Sequence, residues 1–338
     1  MRLVLVGTLV KTLLTSTGPI TPVSACDIVP NGSSNSHFVF YSSEWLNLHN
    51  FLVIKSKERS GIDDASLGAR GYLVSDTAAA RPLQPAERER WQRSVEFYAR
   101  EVLPGRLNID SLVRNIDYPL AAARPDGTLD DVALHPQLRR VLLDAMPVYR
   151  SVWWPAQDRR NQTWIASMRE LLAVHEPCLV ARTQQVFRSA WPSAPIRVDA
   201  SVYASWFGAY SSHRPTRVMM ATNAIGSQGL YGLELILHES AHGMMAPIDS
   251  ALAAASAGAK EQLAPWLSHL ILFYTVGQLV HERVPDHVPY AEQFGIWRQS
   301  DAAKHVRSIL EQQWQPYLEG RIDLATAIKA VVSATASP

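Results

Sequence analysis

Two histidines and a glutamate between Tyr231 and Met245 have a spacing that could support metal chemistry. His238 and His242 are four residues apart, so on an α-helix they lie on one face about one turn apart. Both imidazoles could then bind one Zn²⁺ ion, and Glu239 could take a proton from a zinc-bound water. This His-Glu-x-x-His spacing predicts a hydrolytic zinc site in which Glu239 is the general base.

The residues around this motif favour a largely buried helix. Residues 233–237 are apolar except for Glu234, small residues separate the two histidines, and no proline follows before Pro247. Polar side chains on a buried helix are costly unless they have partners, which favours a bound ion. The alternative is an amphipathic helix whose two histidines lie at its solvated edge.

A zinc site of this type needs a third protein ligand. The pattern His-Glu-x-x-His-x-x-Gly-x-x-His is excluded, because Met245 and Ile248 occupy the positions of its glycine and its third histidine. His269 lies in a largely apolar run from Leu263 to Val280, where an imidazole needs a polar partner. His269 is therefore the first candidate, and a core histidine bonded to a backbone carbonyl is the alternative.

The segment Pro265–Tyr274 (PWLSHLILFY) resembles the third-ligand helix of gluzincins, especially of their aminopeptidase branch. In that branch a Trp-Leu-Asn-Glu-Gly-Phe-Ala type of segment supplies a glutamate, and His269 stands at its position. The resemblance covers about residues 215–280 and implies a zincin-type zinc metallopeptidase. The Gly-x-Met-Glu-Asn signature of the aminopeptidases is absent from the sequence.

The same resemblance leaves Glu261 as a rival third ligand. Its distance from His242 matches the aminopeptidase spacing, but its neighbours are polar and Pro265 indicates that the helix begins only after it. Zincins also stabilise an oxyanion with a residue beyond the third ligand, for which Tyr290 is the first choice. They bind the substrate backbone along an edge strand before the motif helix, a position that Thr216–Thr222 occupies.

The elements that must position these residues are mostly helical. Ile196–Trp206 and Thr216–Thr222 alternate as strands do, and Ser211–Pro215 between them indicates a hairpin. We expect an α+β, helix-dominated fold with a small antiparallel sheet and two metal-site helices at about 230–245 and 265–282. Residues 37–190 form a mainly helical part, and residues 191–335 form the zincin-like metal-binding part.

Composition limits the classes of function. The net charge of +1 gives no electrostatic basis for binding nucleic acid, and two cysteines are too few for a thiolate zinc site. No apolar run reaches the roughly 20 residues of a membrane span. Residues 1–25 are typical of a signal peptide, and residues 26–36 predict a flexible leader. The residues before Cys26 resemble a lipobox, in which Cys26 would be lipidated; the alternative is a disulfide between Cys26 and Cys178.

These features together predict an exported zinc hydrolase located in the periplasm, in the cell envelope or outside the cell. The bond that we expect it to cleave is an amide, in a peptide or a small amide-like substrate, with a lipid anchor if Cys26 is lipidated. Two alternatives stay open. One is a zinc hydrolase that acts on a non-peptide bond, and the other is a non-catalytic envelope binding protein with an inert motif helix.

Overall fold

A computed structural model describes residues 36–61, 80–103, 113–124, 128–204, 208–213, 216–257 and 265–336. The predicted signal peptide, Cys26 and Glu261 lie outside these residues, so export, lipidation and the Glu261 alternative stay predictions. Among the helices that the structure describes, none has the length and apolarity that a membrane span requires.

Helices make up most of the described residues. Their bounds are α1 (Glu44–Arg59), α2 (Pro85–Phe97), α3 (Tyr118–Ala122), α4 (Pro136–Val152), α5 (Trp154–Phe187), α6 (Gly229–Ala241), α7 (Ala246–Ala255), α8 (Pro265–Arg283), α9 (Tyr290–Gln293), α10 (Asp301–Ile309), α11 (Gln315–Leu318) and α12 (Leu324–Thr335). Local sequence explains several of these starts. Ser43 caps α1 by accepting a hydrogen bond from the Leu46 N–H group, and α2, α4 and α5 each have a proline in the first turn.

Four strands form one mixed sheet in the order β1-β2-β4-β3. Their bounds are β1 (Phe38–Tyr41), β2 (Ile196–Ser201), β3 (Ala209–His213) and β4 (Thr216–Ala221). β2 pairs in parallel with both β1 and β4, and β3 pairs antiparallel with β4. The predicted α+β fold with helices dominant is confirmed. The predicted antiparallel sheet is wrong, because two of the three strand pairs are parallel.

The observed hairpin joins β3 to β4, whereas the sequence predicts a hairpin between the segments that contain β2 and β4. β2 and β4 are parallel neighbours, with Val198 opposite Val218, whereas Ser211–His213 belong to β3 and pair with β4. Period-two alternation identifies a strand but carries no information about its partner or direction. Ser211–His213 of β3 belong to the polar segment Ser211–Pro215, whose turn-like composition predicts a connection rather than a strand.

The sheet separates two hydrophobic cores, because successive residues of a strand face opposite sides. Val218 and Met220 of β4 belong to a core with α5, α6 and α8. Met219 and Ala221 belong to a second core with α1, α2 and α4. Both predicted parts of the chain contribute to the sheet, since β1 pairs with β2. The division at residue 190 stays a prediction.

A chain of buried polar groups lies in the second core, behind β3. Tyr210 of β3 donates its hydroxyl hydrogen to Asp117, whose other oxygen lies 3.4 Å from Nε2 of His49. Nδ1 of His49 is 2.9 Å from the Tyr98 hydroxyl. Burial raises the pKa of Asp117 to about 7 and lowers the pKa of His49 to about 3. Burial therefore favours the neutral form of each group relative to an unfolded chain.

Replacement of Asp117 should change how stability depends on pH. The pKa of Asp117 is about 7 in the folded protein and about 4 in an unfolded chain, so folding favours the protonated acid. Its contribution is fully present below the unfolded pKa and is lost as pH rises through about 7. We expect the free energy of unfolding to fall between pH 5 and pH 8 by on the order of 2 kcal/mol from this group, and Asp117→Asn to remove that fall.

Urea denaturation midpoints at the two pH values measure this difference. The control is Asp144→Asn, which changes an exposed carboxylate on α4. Equal pH dependence in wild type and Asp117→Asn would contradict the expectation.

Candidate metal centre

The site begins with the end of α6. His238 and Glu239 lie in this helix, and His242 follows it directly as the first residue of the 3₁₀ turn His242–Met244. His242 keeps helical dihedral angles (φ −51°, ψ −39°), so the one-turn spacing of the two histidines is preserved. The α-helix is not continued because Gly243 follows and Pro247 lacks a backbone N–H group.

Three histidines come together where α6 and α8 pack against each other. His238, His242 and His269 each offer one nitrogen, and these nitrogens all lie within 4.8 Å of one another. The Nε2 atoms of His238 and His269 are 3.1 Å apart. Two nitrogens that bind one zinc ion tetrahedrally at about 2.0–2.1 Å lie about 3.3 Å apart. The arrangement of the three side chains therefore fits a single ion.

The chemistry of these side chains also fits a metal ion. His238 is buried, and burial together with His242 and His269 holds its pKa well below the usual value, which keeps the imidazole in its neutral, metal-binding form. Its Nε2 atom faces His269, whereas its Nδ1 atom, on the other side of the ring, is buried with no hydrogen-bond partner among the described residues. His242 is half-buried and His269 is exposed, so the cluster opens on one side, as a catalytic zinc site does.

Glu239 lies beside the cluster, inside the protein. Its Oε2 atom accepts a hydrogen bond of 2.7 Å from the Ser211 hydroxyl and lies 3.9 Å from Nε2 of His242. Burial raises the pKa of Glu239 to about 7, and the bond from Ser211 opposes that rise. A cation held by the three histidines would stabilise the carboxylate and lower this pKa. Glu239 lines the same cavity as the three histidines.

A cavity of about 640 Å³ opens in front of these residues. Its other walls are mostly apolar or aromatic and include Tyr210, Leu235, Trp266, Leu270, Phe273, Tyr290 and Ile296. Phe273 packs over two of the histidines, with ring centroids 4.0 Å from His238 and 4.7 Å from His269. Sequence reasoning missed Phe273 and Ser211, since an apolar helix residue and a serine in a turn-like segment carry no signal for such contacts.

The edge strand next to the site is β3 rather than the predicted Thr216–Thr222 segment. β4 lies between β2 and β3 and is paired on both sides, so that expectation is wrong. β3 ends the sheet, and its residues Ala209, Tyr210 and Ser211 line the cavity. Among the described strands, the one at this end of the sheet is therefore β3, whose residues Ser211–His213 fall in the predicted hairpin connection.

Tyr290, the predicted oxyanion residue, also lines the cavity. It is 2% exposed, and its hydroxyl lies close to Gly226, where a Cβ atom would stand only 2.8 Å from the Tyr290 oxygen. The structure thus places Tyr290 at the cavity wall, and its role with an oxyanion stays a prediction.

No protein-family model, curated protein or solved structure matches this chain. The chemistry of the site therefore rests on its own residues.

The three-histidine cluster leads to a test by metal content. Elemental analysis of the purified chain should give about one zinc per molecule, because three imidazoles are a sufficient protein ligand set. His269→Ala and His238→Ala should lose this zinc. Glu261→Ala should keep it, as should the control His305→Ala, which removes an exposed histidine of α10. Zinc that survives His269→Ala but is lost with Glu261→Ala would show the other candidate to be the ligand.

Proposed function

We propose that the chain is a zinc-dependent hydrolase that cleaves peptide bonds. One observation carries the proposal, namely that three histidine nitrogens lie within 4.8 Å of one another beside the buried carboxylate of Glu239. A structural zinc site needs four protein ligands and no base, whereas a hydrolytic site needs three ligands, a base and access for substrate. The cavity in front of the cluster gives that access.

His238, His242 and His269 would hold the ion, which would supply a Lewis acid that polarises a carbonyl group and makes water more acidic. Glu239 takes the proton of the attacking water as general base and then delivers it to the leaving nitrogen as general acid. Ser211 holds the Glu239 carboxylate by a hydrogen bond from its hydroxyl, which keeps one oxygen in a fixed position. The cavity walls beside these residues are mostly apolar or aromatic.

The position of β3 supports a peptide as the substrate. β3 is the last strand of the sheet among the described residues, and Ala209, Tyr210 and Ser211 line the cavity that contains Glu239. An extended peptide can pair with such an edge through its backbone, and pockets beside the edge then receive its side chains. The cavity volume of about 640 Å³ lies within the usual range for ligand sites of about 300–1,000 Å³. An extended peptide on β3 would therefore lie beside the metal cluster.

Loss of the Glu239 carboxylate should separate metal binding from hydrolysis. Glu239→Gln keeps the side-chain size but removes the base, so we expect hydrolysis to fall by about 10²- to 10⁴-fold while zinc content is unchanged. Cleavage of a fluorogenic peptide library and elemental analysis of the same samples measure the two effects. The control Glu170→Gln changes an exposed glutamate of α5 and should leave both values at the wild-type level.

Two outcomes would count against parts of the proposal. Undiminished cleavage by Glu239→Gln would remove the base role of this residue. A zinc-loaded wild type that hydrolyses esters or other acyl compounds, but none of the peptides, would favour a hydrolase of a non-peptide bond.

A further inference from the structure

The mechanism above leaves one buried carboxylate near the site without a role. Glu234 lies in α6 four residues before His238, so the two side chains share a face of the helix about one turn apart. Glu234 is 2% exposed, and a carboxylate at such a position is costly unless hydrogen bonds satisfy it. The identity of its partners therefore indicates what this residue holds in place.

Its partners come from the segment that leads into α9. Nε2 of His287 is 2.6 Å from Oε2 of Glu234, and the backbone N–H of Tyr290 donates to both carboxylate oxygens at 2.9 and 3.0 Å. Burial raises the pKa of Glu234, whereas His287 and the Tyr290 N–H group lower it. The carboxyl group thus ties α6 to residues 287–290 by three contacts.

The third element at this junction is α8. A Cβ atom on Gly277 would stand 2.8 Å from Cβ of Pro289 and 3.0 Å from Oε1 of Glu234. Only glycine therefore allows α8 to approach so closely without a shift of its neighbours. α6, α8 and the 287–290 segment meet at Glu234, and a change in this carboxylate would reach all three.

The contacts continue from this junction to the metal cluster. The Tyr290 ring stacks on Phe273 with centroids 6.3 Å apart and an interplanar angle of 16°. Phe273 in turn packs on His238 and His269. Tyr290 and Phe273 both line the cavity, and we call these two rings the aromatic wall. The hydrogen bond from the Tyr290 N–H group to Glu234 holds the backbone of Tyr290, whose ring is one of the two in the aromatic wall.

We propose that Glu234 is a positioning residue that holds the aromatic wall of the site against the metal cluster, so that an apolar side chain of the substrate can bind there. This inference rests on the proposed function. It assigns Glu234 to substrate binding rather than to metal binding or proton transfer. Glu234 holds the aromatic wall in position. The substrate class that fits this wall is a peptide with a large apolar residue beside the cleaved bond.

The test compares two substitutions of Glu234. Glu234→Leu removes every hydrogen bond of the carboxylate at similar volume, whereas Glu234→Gln keeps a carbonyl acceptor at the same reach. For a fluorogenic peptide cleaved by wild type, we expect Glu234→Leu to raise KM by about tenfold and to change kcat much less. Glu234→Gln should restore most of the wild-type KM. Zinc content should equal that of wild type in both variants.

A matched control is available at the opposite edge of the sheet. Glu176 of α5 is 6% exposed and bonds Nδ1 of His37 at 2.7 Å as well as the His37 backbone N–H group. It also accepts a hydrogen bond from the Ser36 hydroxyl, so it is, like Glu234, a buried carboxylate bonded to a histidine ring and a backbone N–H group, but it lies beside β1. Glu176→Leu should lower stability but leave KM unchanged. An equal rise of KM in Glu176→Leu and Glu234→Leu would overturn the proposal, since the effect would then be a general loss of stability.

Hydrogen exchange of residues 287–294 gives a second readout that needs no activity. Exchange should be faster in Glu234→Leu than in wild type and should return towards wild type in Glu234→Gln, because the Tyr290 N–H group regains an acceptor. Unchanged exchange and KM in Glu234→Leu would overturn the proposal. A zinc-loaded wild type that cleaves no peptide would overturn the proposed function instead, and the exchange result would still support or reject the anchor.

Discussion

The burial of α6 is the constraint on which the rest of the site depends. Every residue of this helix from Gly232 to Ala241 is buried, although several of them are polar. Each polar side chain must therefore find a partner inside the protein. Glu239 finds it in β3 and Glu234 in the segment before α9, while His238 faces His269 of α8 in the metal cluster. The elements around the cavity thus contact one helix through polar side chains that its burial encloses.

β3 connects this arrangement to the other side of the sheet. Neighbouring residues of the strand face opposite cores, so Ser211 points to Glu239 while Tyr210 bonds to Asp117. An edge strand has hydrogen-bonded neighbours on one side only, and its position depends more than usual on its side chains. The two bonds from adjacent residues hold β3 from both faces of the sheet. β3 is thereby kept beside the metal cluster.

The features that could be predicted from the sequence are those that depend on residues close together in the chain. Helical spacing and the one-turn separation of His238 and His242 are properties of neighbouring residues, and the apolar run around His269 is similarly local. The direction of β2 and β4, the edge position of β3 and the contact of Ser211 with Glu239 depend on residues far apart in the chain. No periodicity records such contacts. For the same reason the sequence does not distinguish Phe273 from an ordinary core residue, although its ring packs on two of the histidines.

The parallel pairing of β1 with β2 has a consequence for the order in which the chain folds. This pair joins Phe38 to Ile196, so its formation closes a loop that contains α1 through α5. The hairpin of β3 and β4 and the following α6 are continuous in sequence and close only short loops. Loop-closure entropy favours the short-range contacts first. The carboxylate of Glu239 and its serine partner would thus meet early in folding, before the first strand completes the sheet at its far edge.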